Sequence, residues 1–362
     1  MVKINNIKFS NFRNFAEYKL SFDKKLNIFV GKNGSGKTNI LEGISLIAKG
    51  RGIRNANIAN LIKKKEEHFF IKNDLEIKNN TYEIEVFTEK KNDKLKKIIK
   101  VNKDQSKDSL DFLNQSISFI LFVPEMERLF QTSPSFRRNF LDRLIFSSKD
   151  NYNILINKYK KSIIERIKIL QNNYIDYDWL NTIEREICSM GLEIYNLRYV
   201  QLNLLNSNIN ILKKDHNFKF NLELKIKDDF FTEDISFEKY VFNLQESRQY
   251  DKKFGGTKIG PHKSDFIAMI NNDFEATLLS TGQQKSVVLM ILLAQCNHLV
   301  NYEKKNPVLL FDEIGSHLDT SNRELLLDMI NRFKIQFFLT GTDKNLFSFV
   351  STNAQFYNIT EL

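Results

Sequence analysis

Cysteine is scarce in these 362 residues: only Cys188 and Cys296 occur. Neither has a second cysteine or a histidine at ligand spacing, which argues against a disulfide framework and against a zinc site. Histidine is sparse too, and His68, His216, His262, His298 and His317 lie far apart. No cluster of carboxylates and histidines suited to a two-metal nuclease is visible. No apolar run approaches the length needed to span a bilayer. The most apolar stretch, Val287–Ala294, is short and is expected in a buried helix. The opening MVKINNIKFSNF alternates apolar and polar residues and lacks the apolar core of a signal peptide. The expectation is a soluble cytoplasmic protein.

What is present is an ordinary globular composition. Hydrophobic residues make up 42%, too much for a disordered chain. The length allows one large core or two moderate domains. The net charge is +10. That surplus fits a polyanionic partner, either nucleic acid or an anionic membrane surface. It equally fits a compositional bias that also enriches Asn, Ile and Phe.

Periodicity gives the organisation. Residues 1–120 read as strands around one strong helix, Thr38–Lys49, with a short apolar strand at Asn27–Val30 and an alternating strand at Tyr82–Phe87. Glu89–Lys107 is lysine-rich and predicts a hairpin with an exposed loop. Residues 121–254 read as a mainly helical lobe. There, Tyr152 to Leu170 and Leu180 to Leu197 carry apolar residues at spacings of three and four, predicting a helical hairpin. Residues 255–362 return to strand and helix: a helix over Gln283–His298, a buried strand at Pro307–Phe311, a helix over Ser321–Phe333 and a strand at Ile335–Thr340. The predicted fold is α/β, with a helical lobe inserted into a sheet domain.

Three motifs carry chemistry. In Gly31–Thr38 (GKNGSGKT), Gly31, Gly34 and Gly36 let the backbone curl so that N–H groups point at phosphate oxygens. Lys32, Asn33 and Ser35 complete the loop, and the following helix adds its positive end. Lys37 reaches the β- and γ-phosphates of ATP, and the Thr38 hydroxyl binds Mg²⁺. In Leu309–Asp319 (LLFDEIGSHLD), a buried strand delivers Asp312 and Glu313 at its carboxyl end, where α/β sheets bind ligands. Asp312 is the expected Mg²⁺ ligand and Glu313 the group that polarises the attacking water. In Leu279–Lys285 (LSTGQQK), Ser280 and Gly282 precede a long helix and are placed to receive a phosphate, or simply to cap the helix. Asp319 follows at the interval expected for a loop at a dimer seam. Thr340–Asp343 (TGTD) ends the next strand, either sensing the γ-phosphate or capping a turn.

With these residues in hand the chain resembles the RecF family over most of its length. The resemblance runs through NFRNF (Asn11–Phe15), GKTNILEGI (Gly36–Ile44), GRGIRN (Gly50–Asn55), FVPEMERLF and RRNFLD (within Phe122–Asp142), GPHKSDF (Gly260–Phe266), LSTGQQK and DEIGSHLD. It implies an ABC-type P-loop ATPase head like those of SMC and Rad50 proteins, two-lobed and without a long coiled coil. It implies an ATP-dependent homodimer, slow ATP hydrolysis, and binding to double-stranded DNA near single-strand gaps and to single-stranded DNA. It also implies partnership with RecR and RecO in loading RecA during recombinational repair and replication restart. Carried across, Ser280 and Gly282 meet the γ-phosphate of the partner's ATP.

Two departures stand out: Thr281 sits where the usual signature has glycine, and Asp343 replaces a switch histidine. Gln131 is the nearest candidate for a glutamine loop. Candidate DNA-phosphate contacts are Arg51, Arg54, Lys63, Lys64, Lys65, the Lys90–Lys107 stretch, Arg137 and Arg138. Each is otherwise an ordinary solvated basic residue, and Arg51 and Arg54 also follow the phosphate-loop helix closely enough to serve nucleotide. The alternative class is the nucleotide-binding subunit of a membrane transporter, against which NFRNF and the insertion pattern argue.

Overall fold

The computed structural model describes residues 2–48, 50, 52–54, 56–91, 94–149, 151–213, 221–230, 235–314, 319–350 and 353–360. The chain forms two compact units: Met1–Glu127 with Thr281–Leu362, and Arg128–Ser280. Residues 255–280, which periodicity attached to the C-terminal sheet part, group with the second unit.

The first unit contains two sheets. One is antiparallel, in the order β2-β1-β4-β5-β6, built from β1 (Val2–Phe12), β2 (Phe15–Ser21), β4 (Phe70–Ile77), β5 (Asn80–Lys91) and β6 (Lys94–Val101). Along β4 alternate residues are buried, the pattern of a sheet with one face on the core. The other sheet is parallel, in the order β13-β3-β12-β11-β7. Its strands are β3 (Leu26–Val30), β7 (Phe119–Phe122), β11 (Val308–Phe311), β12 (Phe337–Gly341) and β13 (Ala354–Asn358). Every residue of β3, β11 and β12 is buried, which is why these segments read as continuous apolar runs. The anticipated lobe boundary at residue 120 falls inside β7, which pairs in parallel with β11.

The fully buried amide of Gln336 ties the sheets together: it accepts from the Ile4 N–H at 2.8 Å and donates to the Ile4 carbonyl at 2.9 Å. These bonds fall where β1 shifts register against β4, between Ile4 and Asn6. The helices of this unit are α1 (Lys37–Ser45), α2 (Lys107–Ser116), α8 (Thr281–Asn301) and α9 (Thr320–Arg332). From Gln284 to Leu299, α8 is buried on every side, so its middle, Val287–Ala294, is apolar all round rather than striped. The first helix ends four residues before the expected Lys49, at Ser45.

The second unit holds α3 (Pro134–Ser148), α4 (Tyr152–Gln171), α5 (Tyr177–Lys213), α6 (Phe237–Glu246) and α7 (Arg248–Phe254). A small sheet in the order β10-β9-β8 joins them, with β8 at Leu222–Lys227, β9 at Asp265–Ile270 and β10 at Phe274–Glu275. Ser133 caps α3 by accepting from the Phe136 N–H, with Pro134 in the first turn, a favoured helix start. The predicted hairpin is α4 with α5, but α5 runs to 37 residues. Its apolar face continues through the buried Leu202, Leu205, Ile209 and Leu212.

Inside the hairpin lies Arg166, fully buried. It bonds Glu184 at 2.9 Å and Asp251 at 2.7 Å, and Arg248 adds a second cation on Glu184. Buried carboxylates this close to guanidinium are tolerated because both charges are paired and hydrogen-bonded. Among the described residues no helix is long and apolar enough to cross a membrane.

Candidate nucleotide-binding site

Because β3, β12 and β11 are parallel neighbours, their carboxyl ends share one edge of the sheet. The loop of Gly31–Gly36 leaves β3 there and enters α1. Two of its glycines are dictated by geometry. A Cβ on Gly31 would lie 2.2 Å from the Ile359 carbonyl oxygen, and one on Gly36 2.9 Å from the Asn14 amide, with φ at +102°. Gly34 opens into free space. Lys37 folds its ammonium back over the loop and donates to the Gly31 and Lys32 carbonyls at 2.7 Å each. Burial lowers its pKa, opposed by the charges of Glu313 and Asp312. The Ser35 hydroxyl is buried in the loop and has no hydrogen-bond partner among the described residues. An orphaned polar atom within such a cradle is what a phosphate site requires.

Across from the loop, Asp312 is buried beyond the end of β11. Its Oδ1 accepts from the Thr38 hydroxyl at 3.0 Å and from the Thr340 hydroxyl at 2.8 Å. Burial raises the Asp312 pKa, and the two hydroxyl donors, then Arg54 and Lys37, pull it back. Thr340 does double work: its oxygen also accepts the Glu313 N–H at 2.7 Å. Glu313 sits at φ +52°, a left-handed conformation that costs a non-glycine residue about 1–3 kcal/mol and clusters at functional sites. The adjacent hydroxyl of Thr38 and carboxylate of Asp312 are hard oxygen ligands suited to Mg²⁺, which otherwise draws on water and phosphate. Among the described residues no group of three or more His, Cys, Asp and Glu could hold a metal by itself.

A turn from the antiparallel sheet buttresses the loop. Asn11, near the end of β1, and Arg13, in the turn to β2, both in NFRNF, take positive φ. Arg13 pairs with Glu42 of α1 through two bonds of 2.7 and 2.8 Å, and Asn14 accepts from the Asn39 amide at 2.7 Å. Arg54 donates to Asn39 at 3.2 Å. Motif reading gave no role to Arg13, Asn14, Asn39 or Glu42; the signal was their presence in NFRNF and in the extension of the phosphate loop.

The signature segment lies elsewhere in the first unit from Thr281 onward, with Ser280 exposed just before it. A Cβ on Gly282 would stand 3.5 Å from an Asp319 carboxylate oxygen. Asp319 caps α9 by accepting from the Asn322 N–H at 2.8 Å, and the Asn322 amide donates to the Gly282 carbonyl at 3.3 Å. The starts of α8 and α9 are thereby laced together. Residues 315–318 lie outside the described residues. The Asp343 carboxylate accepts from the Asn345 N–H at 2.7 Å and caps a short turn. Gln131 is exposed at the end of a 3-10 turn.

The basic candidates separate. Arg51 lies outside the described residues. Arg54 is exposed, but its charge acts on Asp312 and its guanidinium bonds Asn39, which ties it to the nucleotide edge. Lys64 and Lys65 are exposed in the loop before β4, and Lys63 is half-buried beside them. Arg137 is corrected: it is buried, bidentate to Asp265 at 2.6 and 2.8 Å, and bonded to the Phe130 and Thr132 carbonyls. Four of its five N–H donors are thereby spent within the protein. Arg138 gives one donor to the Ser264 carbonyl. In the lysine-rich hairpin, Lys97 caps the end of α1, donating to the Leu46 and Ala48 carbonyls at 3.1 and 2.9 Å.

A glycine loop between a buried parallel strand and a helix, faced by a buried aspartate one strand beyond its neighbour, defines a P-loop ATPase head. The RecF/RecN/SMC N terminal domain family matches residues 3–361. A "DNA replication and repair protein RecF" of Rickettsia massiliae is 33% identical over 97% of this chain and 98% of the relative; its Rickettsia felis counterpart is 34% identical over 94% and 93%. A solved structure titled "Structure of the recombination mediator protein RecF-ATPrS in RecFOR pathway" superposes with a TM-score of 0.84 at 26% identity, covering 99% of this chain and 96% of that one. The chain belongs to the RecF family.

Proposed function

We propose that this protein is an ATP-gated DNA-binding switch of replication and repair, in which nucleotide joins two copies around duplex DNA near single-strand gaps. The observation that carries this reading is the convergence of Lys37, Thr38, Asp312 and Glu313 on one sheet edge, while Ser280 stands exposed beside the laced Gly282–Asp319 pair. A phosphate loop with its signature elsewhere makes each site whole only when a second copy supplies the signature. The names of the relatives support the DNA and repair part, and the ATP-analogue structure supports the ligand.

Bound ATP with Mg²⁺ supplies the phosphoanhydride and the charge that the site is built to receive. The loop N–H groups and the Ser35 hydroxyl bind phosphate oxygens. Lys37 exchanges its loop carbonyls for phosphate oxygens, and its charge favours them. Thr38 and Asp312 would hold the cation. Glu313, held by Thr340, accepts hydrogen-bonding from water and orients it for attack. Hydrolysis is slow and releases the pair, so turnover acts as a timer rather than as a source of product. RecR, RecO and RecA are the partners this reading assigns.

The test is sedimentation with a gapped duplex, with and without ATP, comparing wild type with Ser280→Arg. The wild type is expected to dimerise on DNA only with ATP. The variant should bind ATP and remain monomeric and free. Equal DNA binding by both, with no dimer in either, overturns the gating.

A further inference from the structure

Two motifs of the family resemblance, RRNFLD and GPHKSDF, find no part in the nucleotide site. In the second unit they meet. Arg138, Asn139 and Asp142 on α3, with Pro261 and His262, line a partly open cavity of about 210 Å³, to which Tyr159 and Lys160 of α4 and Arg198 of α5 also contribute. We propose that this cavity is a binding site for a phosphate group.

The charge inventory sets the ligand's sign. Arg198 is matched by Asp142, which it grips at 2.9 and 3.0 Å. His262 is uncharged: its Nε2 donates to the Thr257 carbonyl at 2.9 Å, leaving Nδ1 to accept the Tyr159 hydroxyl at 2.7 Å. Among the described residues Arg138 forms no ion pair and commits one nitrogen to Ser264, which leaves the rest of its fork for a ligand. Lys160 is exposed and has no hydrogen bond or ion pair among the described residues. Three cations against a single carboxylate leave a surplus of two positive charges around the cavity, the charge of a phosphate monoester reversed. A planar fork and a mobile ammonium on one oxyanion are the usual phosphate grip. Burial and then the neighbouring Arg198 lower the Arg138 pKa, and the charges of Asp265 and Asp142 only partly offset them.

Size and walls narrow the class. Sites for drug-sized ligands run to about 300–1,000 Å³, so this cavity suits one phosphoryl group and a few attached atoms rather than a nucleoside triphosphate. Ile156, Ile194 and Pro261 supply apolar walls for the carbon that carries the ester. The same chemistry can come from a small phosphorylated compound or from a phosphate of a polynucleotide.

Calorimetric titration of inorganic phosphate into the full chain, with the phosphate loop saturated by ADP, tests the site. One saturable event is expected, weakened about tenfold or more by Lys160→Glu and by Arg138→Gln, as loss of a charge-assisted contact implies. Lys160 is exposed, so its variant folds and carries the test even where Arg138→Gln does not. Competition then separates the sources: at matched ionic strength, phosphate displaces a bound oligonucleotide if the cavity holds a polynucleotide phosphate, and leaves it bound if the ligand is small. Only that last arm rests on the DNA-binding reading. Absence of saturable binding, or binding indifferent to Lys160→Glu, overturns the proposal.

Discussion

Thr340 is the residue on which the acidic edge depends, because one hydroxyl serves both carboxylate positions. It donates to Asp312 and accepts from the Glu313 backbone, so Thr340→Val removes two bonds at a buried charge and releases a strained φ. Hydrolysis should fall about tenfold or more, equivalent to roughly 1.4 kcal/mol in the barrier. ATP binding, which rests mainly on the loop, should change far less; single-turnover hydrolysis beside equilibrium nucleotide binding separates the two. In sequence, Thr340 was visible only as part of a polar strand end. Asp312 and Glu313 were legible because an apolar strand preceded them. The brace was not, since the contact joins strands whose adjacency no local pattern records. Arg137 shows the converse: its charge was read correctly and its partner, Asp265, could not be.

At the scale of elements, His262 links the stability of the second unit to pH. Burial lowers its pKa from 6.5 to about 4. Above about pH 6.5 the imidazole is neutral folded or unfolded, and its contribution is fully present. As pH falls from 6.5 toward 4 the unfolded chain takes up the proton first, so stability is lost through that window and not below it. The loss is on the order of 3 kcal/mol. Urea unfolding of the second unit at pH 7.5, 6.5 and 5.0 should show this decline, and His262→Gln should flatten it whatever its baseline.

Elements themselves were read well where one period dominates, as in the α4–α5 hairpin and the runs of β3 and β11. Boundaries were read less well. The helix α5 outruns its expected end because two buried polar residues, Arg198 and Gln201, break the apolar stripe just past Leu197 before it resumes at Leu202. The strands β1, β2 and β4 were not seen as one sheet, since register is a long-range property.

For the molecule as a whole, the surplus of +10 makes DNA affinity a matter of salt. On the switch reading, log affinity for duplex should fall linearly with log salt, more steeply with ATP than without. Lys64→Gln and Lys65→Gln should each reduce the slope by about one and weaken all sequences alike. Arg137→Gln should leave the slope unchanged and show its cost in stability instead. Fluorescence anisotropy across a salt series distinguishes the three.

The strand order of the parallel sheet has a further bearing, on synthesis. The strand that launches the phosphate loop, β3, pairs with β12 on one side and β13 on the other. Both are made more than three hundred residues later, and the Ile359 N–H closes the edge on Val30. A nascent chain therefore carries β3 with neither parallel neighbour until residues 337–341 have been made. Such distant pairing folds slowly and leaves apolar edges waiting. A chain cut short before residue 337 would lack both parallel neighbours of β3, its loop would be braced from the antiparallel sheet alone, and both edges of β3 would be open to the wrong partner.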